Sequence, residues 1–251
     1  MSTDHDIWGL WPEEHDRVFL REVDSTMAEA ARIAPALTRP TWIVAERQTA
    51  GRGRQGRAWA DGAGNLMATL VYRPDAAPAE AAKRSFMAAN AVFEALALYL
   101  DRNRLAKKWP NDVLLDGGKV AGLLLEASGV GPKVDWLAIG IGVNLVSAPE
   151  IEAAFAPVSL TGQGVAAPDP RRLLSEIASN IATEERMWAE LGFGRIRRDW
   201  LRDAARLGEV ITARTAREEV TGTFDSIDEE GNLVLITGAG PRLISAGEVF
   251  F

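Results

Sequence analysis

The sequence ERQTAGRGRQGRAW, Glu46–Trp59, carries four arginines, three glycines and a single acid, in a chain whose 28 basic residues are outnumbered by 35 acidic ones. It leads out of a strand-like run, Thr41–Gln48, and the residues after it decide which folds are open. Gly51, Gly53 and Gly56 satisfy the G-x-G-x-x-G pattern formally, but a dinucleotide fold needs a helix opening at the last glycine with its N-terminus facing a pyrophosphate. Here RAWADGAGN comes next, and then LMATLVY, a turn feeding a second strand, Leu66–Arg73. A P-loop fails because Arg57 stands at the lysine position with no Ser or Thr after it. What remains is a Gly/Arg loop strung between two strands. Glycines bring backbone close to a ligand, and arginines present planar, permanently charged forks to carboxylates and phosphates.

The flanking pattern reads as α/β. Arg17–Val23 alternates like a strand and leads into a helix near Thr26, with Thr26 and Glu29 spaced as a capping box. Residues 79–102 form the longest helix, with Phe86, Ala89, Val92, Phe93, Leu96 and Leu100 on one face. Strands Lys119–Ser128 and Val134–Leu145 are joined by GVGPK, the Pro- and Ala-rich stretch 147–170 is irregular, and helices cover 170–191 and 194–205. After Gly208 the texture changes: EVITAR, EEVTGTFDSI, GNLVLIT and PRLISAGEV alternate with turns, the pattern of a small β-barrel. The expected division is 1–205 and 206–251.

Composition excludes several classes of function. The chain has no cysteine, which removes disulfides and thiol chemistry. His5 and His15 are its two histidines, so a His-based zinc site or a Ser-His-Asp triad is not expected. A net charge of −7 argues against general nucleic-acid binding. No apolar run reaches the length of a membrane span, and the acidic N-terminus MSTDHDIWGLW lacks the basic segment of a secretory signal, which points to the cytoplasm.

A second motif, KKWPNDVLLDGGKVAGLLLE at 107–126, places Asn111 and Asp112 on a turn after Pro110 and a lysine, Lys119, at the head of an apolar strand beyond Gly117-Gly118. Taken singly, these residues read equally as a plain β-hairpin. Taken with GRGRQGRAW, with IGIGVNL at 139–145 and with Ser25-Thr26 in REVDSTM, they resemble the biotin protein ligases in order, spacing and identity, from about Val18 to the C-terminus.

The resemblance implies a mixed-sheet catalytic domain of the biotin/lipoate ligase kind with an SH3-like C-terminal barrel. It also implies an ATP-dependent ligase that activates biotin as biotinyl-5'-AMP and passes it to a lysine of a biotin carboxyl carrier protein domain. Ser25, Thr26 and Gln48 match positions contacting the ureido ring. Gly51, Gly122, Gly140 and Gly142 would let the pocket wall approach the thiophane ring and tail. Arg52, Arg54, Arg57 and Lys119 are the expected cations, Arg54 and Lys119 nearest the carboxylate–phosphate junction. Trp59 offers a face for adenine, Asn111 and Asn144 bond base or phosphates, and Asp112 holds Mg²⁺ or takes a proton from the acceptor lysine. Met27 departs from the polar residue family members often carry after Ser-Thr. The expected partners are the carrier domain, biotin and ATP, without DNA or membrane, and a homodimer is compatible with the family. A lipoate ligase and a non-catalytic biotin-binding module are the alternatives. A ligase–repressor is disfavoured, because the 24 residues ahead of Ser25 are too few for a winged helix.

Overall fold

The computed structural model describes residues 11–59, 62–151 and 155–251, the Gln55 side chain excepted. The readings placed on His5 and on the extreme N-terminus lie outside these residues. Seven strands form a mixed sheet: β1 (Asp16–Val23), β2 (Thr41–Gln48), β3 (Leu66–Tyr72), β4 (Leu105–Lys108), β5 (Asp112–Leu115), β6 (Gly118–Ser128) and β7 (Trp136–Val143). Their spatial order is β1-β2-β3-β7-β6-β5-β4, with β1 parallel to β2 and every other pair antiparallel. β3 is an interior strand, between β2 and β7, and is buried at all seven positions, which is why LMATLVY shows no polar alternation. β1 is an edge strand and is mostly exposed.

The two sheet faces are covered differently. On one, Trp42, Val44, Leu66, Leu70, Ile139 and Ile141 pack against α3 (Arg84–Leu96), α4 (Pro170–Leu191) and α5 (Phe193–Arg202). α3 is buried almost all round because it lies between the sheet and the other two helices. On the other face a single short helix, α1 (Thr26–Ile33), lays Met27 and Ala30 over Ile43, Val71 and Ala138. It covers one end of that face, and among the described residues no other helix covers the rest.

The helix expected over 79–102 is two helices, α2 (Pro78–Ala82) and α3, interrupted at Lys83, and the chain leaves α3 after Leu96. Apolar periodicity runs through the break, so the pattern conceals it. Strand β4 is hidden in the sequence because LAKK looks polar. Lys107 is in fact fully buried, its Nζ reaching Asn90 Oδ1 (2.8 Å), the Asp199 carbonyl (2.6 Å) and Asp203 Oδ2 (3.1 Å). His15 is also structural: its Nδ1 accepts from Trp42 Nε1 at 3.1 Å, and burial lowers its pKa.

The C-terminal strands β8 (Val210–Arg214), β9 (Glu219–Ile227), β10 (Leu233–Thr237), β11 (Gly240–Ile244) and β12 (Glu248–Phe250) form a separate antiparallel sheet in the order β11-β10-β9-β8-β12. This is the small all-β unit expected from the change of texture after Gly208. Its last strand, β12, turns toward the mixed sheet and reaches the face that α1 leaves open.

Candidate active site

The uncovered part of the mixed sheet is the floor of a cavity of about 590 Å³. Every residue proposed from the sequence to bind biotin or the nucleotide borders it except Gly51, which lies next to Gln48 and Trp59. The floor is made of glycines because the sheet itself must be the wall. Gly122 and Gly142 face each other across β6 and β7, and Gly140 pairs with Leu124 one step along. A Cβ at Gly142 would overlap the Trp59 indole, one at Gly122 would come within 2.9 Å of Trp59 Cζ3, and one at Gly140 would lie 2.8 Å from Met27 Sδ. The bare strip is therefore clad by two side chains, Met27 at one end and Trp59 at the other. The Trp59 Nε1 donor is buried without a hydrogen-bond partner, an arrangement that costs free energy unless a ligand acceptor meets it.

The polar end near α1 is built from three elements. Ser25, not Thr26, caps the helix, its hydroxyl accepting from Met27 N at 3.2 Å, so the capping box read at Thr26 and Glu29 does not form: the residue three beyond the cap is Ala28. Freed from capping, Thr26 sends both its N–H (2.7 Å) and its hydroxyl (3.0 Å) to Gln48 Oε1 on β2. Gly51 must be a glycine because a Cβ there would press on Gln48 Nε2 at 2.9 Å and on the Trp59 carbonyl at 2.7 Å.

The Gly/Arg loop folds back on itself. Gly53 N donates to Arg57 O (2.7 Å) and Trp59 N to Gly51 O (3.0 Å), and Gly56 turns the chain with φ of +73°. This closure aims the arginines. Arg54 Nη1 donates to Asn111 Oδ1 at 3.0 Å and Nη2 approaches the Gly247 carbonyl at 3.5 Å. Arg52 faces Glu126 at 3.4 Å, and Arg57 pairs with Glu248 on β12. Both pairs are partly exposed and so contribute little to stability. Asn111 is fixed a second time by donating to the Leu123 carbonyl. Asn144 is buried and borders the same cavity.

Asp112 stands at the centre of the charged end. Its Oδ1 lies 2.7 Å from Lys119 Nζ and its Oδ2 4.0 Å from Lys108 Nζ. Lys119 also sits 5.8 Å above the Trp59 ring. Lys108 is a site residue that the sequence reading misses, although the alternation that buries Lys107 in the core turns its neighbour toward the cavity. It is 6% exposed, rests 4.3 Å from the Phe155 ring, and burial lowers its pKa against the opposing pull of Asp112. The β12 residues Glu248, Val249 and Phe250, and Arg214 across from them on β8, also border the cavity without any advance signal, since nothing local announces which strand of a small barrel meets another sheet.

Among the described residues no three His, Cys, Asp or Glu side chains cluster as a metal site. Asp112 fits a dication poorly, because ammonium groups already face both its oxygens. No described helix is long and apolar enough to cross a membrane.

Comparison with known proteins agrees with this geometry. Residues 20–144 match the biotin/lipoate A/B protein ligase family and residues 207–251 match the biotin protein ligase C-terminal domain. A biotin–[acetyl-CoA-carboxylase] ligase of Paracoccus denitrificans is 49% identical over 237 residues, spanning 92% of this chain and 99% of the relative. The corresponding ligase of Mycobacterium tuberculosis is 32% identical over 82% of this chain and 77% of its own length. Among solved structures, the biotin protein ligase of Aquifex aeolicus in complex with biotin and ATP superposes with a TM-score of 0.80 at 28% identity, covering 93% of this chain and 97% of that one. On sequence, fold and the arrangement of the cavity, the chain belongs to the biotin/lipoate A/B protein ligase family, in its biotin protein ligase branch.

Proposed function

We propose that this protein joins biotin to AMP and then transfers the biotinyl group to a lysine of a carboxylase carrier domain. One observation carries the reading: a hydroxyl-and-amide end (Ser25, Thr26, Gln48) and a cationic end (Arg52, Arg54, Arg57, Lys108, Lys119) share one cavity across a glycine floor. A bicyclic urea with a carboxylate tail has complementary ends. Gln48 and the hydroxyls address the ring, the floor and Met27 flank the apolar bicycle, and the carboxylate meets the cations. Trp59 offers its indole face to adenine, with Asn111 and Asn144 as polar partners. In the first step a biotin carboxylate oxygen attacks the α-phosphorus and pyrophosphate departs with the electron pair. Both reacting groups are anions, so Arg54 and Lys119 lower the barrier by charge neutralisation fixed in advance.

In the second step the acceptor amine attacks the acyl carbon and AMP leaves. The amine must shed a proton, and Asp112, between its two lysines, is the carboxylate in place to receive it. Given its surroundings, this role suits Asp112 better than holding Mg²⁺. The division into a ligase domain, residues 1–205, and a small barrel, 206–251, fits the two sheets, with β12 closing the cationic end. ATP and a carrier domain as co-substrates belong to the cytoplasm. Biotin-dependent ATP–pyrophosphate exchange, followed by labelling of a purified carrier domain, tests the proposal. Exchange supported equally by lipoate, or absent with biotin, would overturn it.

A further inference from the structure

We infer that Thr69, which does not border the cavity, is a positioning residue that fixes the Gln48 amide through Thr26 and so sets the affinity for the ring end of the acid substrate. The inference rests on the biotin reading of the cavity. Thr69 lies at the middle of β3, 0% exposed, paired with Ile43 on one side and Gly140 on the other. Its neighbours on that face are apolar: Ile43, Val71, Ala138 and, from α1, Met27 and Ala30. A hydroxyl in such a place is costly unless bonded, and valine has nearly the same shape without the cost.

The hydroxyl has one use. Thr69 Oγ1 donates to Thr26 Oγ1 at 2.8 Å. With that lone pair engaged, the Thr26 proton is directed onward to Gln48 Oε1 at 3.0 Å. The Thr26 backbone N–H, 2.7 Å from the same oxygen, can only donate, so the atom facing it is the amide carbonyl and not the nitrogen. Two donors thus hold the Gln48 carbonyl oxygen, and Gln48 and Thr26 both border the ring end of the cavity. An amide held in one orientation keeps the polar pattern of the cavity fixed for a ureido ring, which offers a carbonyl acceptor and two N–H donors. Without Thr69 the Thr26 hydroxyl is free to rotate, and Gln48 keeps one fixed donor in place of two.

The test is steady-state exchange with biotin and ATP varied in turn, on wild type, Thr69→Val, Thr69→Ser and Thr69→Ala. The Val variant is expected to raise the KM for biotin about three- to tenfold, the value of one neutral hydrogen bond. KM for ATP and thermal stability should stay near wild type, and the Ser variant should restore biotin affinity. A double-mutant cycle supplies the readout that a packing role would not move: in a Thr26→Ala background the Thr69→Val change should have almost no further effect. The Ala variant carries the same expectation if the Val variant fails to fold. An unchanged biotin KM in Val and Ala, or an equal penalty in the Thr26→Ala background, overturns the inference while leaving the function standing. A wild-type protein without biotin-dependent exchange overturns both.

Discussion

Replacing Lys119 with alanine separates catalysis from stability, because the structure assigns the two very different sizes. The Lys119 ammonium lies 2.7 Å from Asp112 Oδ1, and its side chain is 30% exposed at the cavity wall. A partly solvated pair of this kind is worth at most about 1 kcal/mol of folding free energy. Asp112 is not stranded by the change, since Lys108 remains 4.0 Å from its other oxygen. Removing Lys119 also removes a repulsion that helps hold the Lys108 pKa down, so Lys108 becomes a firmer cation in compensation. The expected loss of thermal stability is therefore about 2–4 °C for a chain of this size. The adenylation barrier should rise far more. A preorganised donor removed from a site where charge develops costs roughly 2.7–4 kcal/mol, about a hundred- to a thousandfold in rate. Biotin-dependent ATP–pyrophosphate exchange reads the first step directly, and differential scanning calorimetry reads the stability. Lys119→Arg, which keeps the charge, should recover part of the rate. Exchange within about threefold of wild type in a folded Lys119→Ala protein would show that Lys119 is a rim charge and that the argument from charge neutralisation is wrong.

Other expectations concern the loop and the core. Arg54→Gly removes the bonds to Asn111 and Gly247 and, by its proposed role, one charge-assisted contact to the adenylate, so retention should fall about ten- to a hundredfold, while adenylation, with the other cations in place, should survive better than in Lys119→Ala. Labelling of serum albumin in the presence of biotin and Mg·ATP measures this leak, and an unlabelled bystander beside proven adenylate synthesis would refute it. Tryptic cutting after Arg52, Arg54 and Arg57 should slow when biotin and ATP are both added, because bound anions then hold a loop whose own ion pairs are solvent-exposed. Equal cleavage rates would argue against that ordering. Lys107 has its pKa pushed down to about 8 by burial, against the pull of Asp203. The unfolded chain therefore binds that proton more tightly, and stability should rise between about pH 8 and 10.5. Urea titrations of Lys107→Met across this window should lack the rise; an identical slope in both proteins would assign it elsewhere.

The parts of this fold that are legible in sequence are those whose signal is local. Strands β2, β3 and β6 are near-continuous apolar runs and can be placed within a residue or so. The two long motifs mark their loops because glycine and proline leave few other conformations. Tertiary partnership is harder to read. Whether Ser25 or Thr26 caps α1 depends on Gln48, 22 residues away, drawing Thr26 inward. The roles of Lys107 and Lys108 are opposite, yet nothing in the dipeptide says which faces the core and which faces the cavity. Glu248 and Phe250 belong to a different sheet from the one that carries the site, and only the docking of β12 brings them to its edge. Thr69 is invisible for a simpler reason: a threonine in a strand looks like propensity, and its purpose appears only when the apolar company around it is known.

The glycine strip has a consequence for anyone who would reshape this pocket. A wall made of side chains can be carved by truncation, but Gly122, Gly140 and Gly142 have nothing left to remove. That side of the cavity is as stiff as the hydrogen-bonded sheet beneath it and has no rotamers with which to adapt. Bulkier or extended acids are admitted more readily by trimming Met27 or Trp59, the two residues that lie on the strip. Tolerance for new substrates should therefore map onto those two positions, while libraries built on the glycines return mostly filled and inactive pockets.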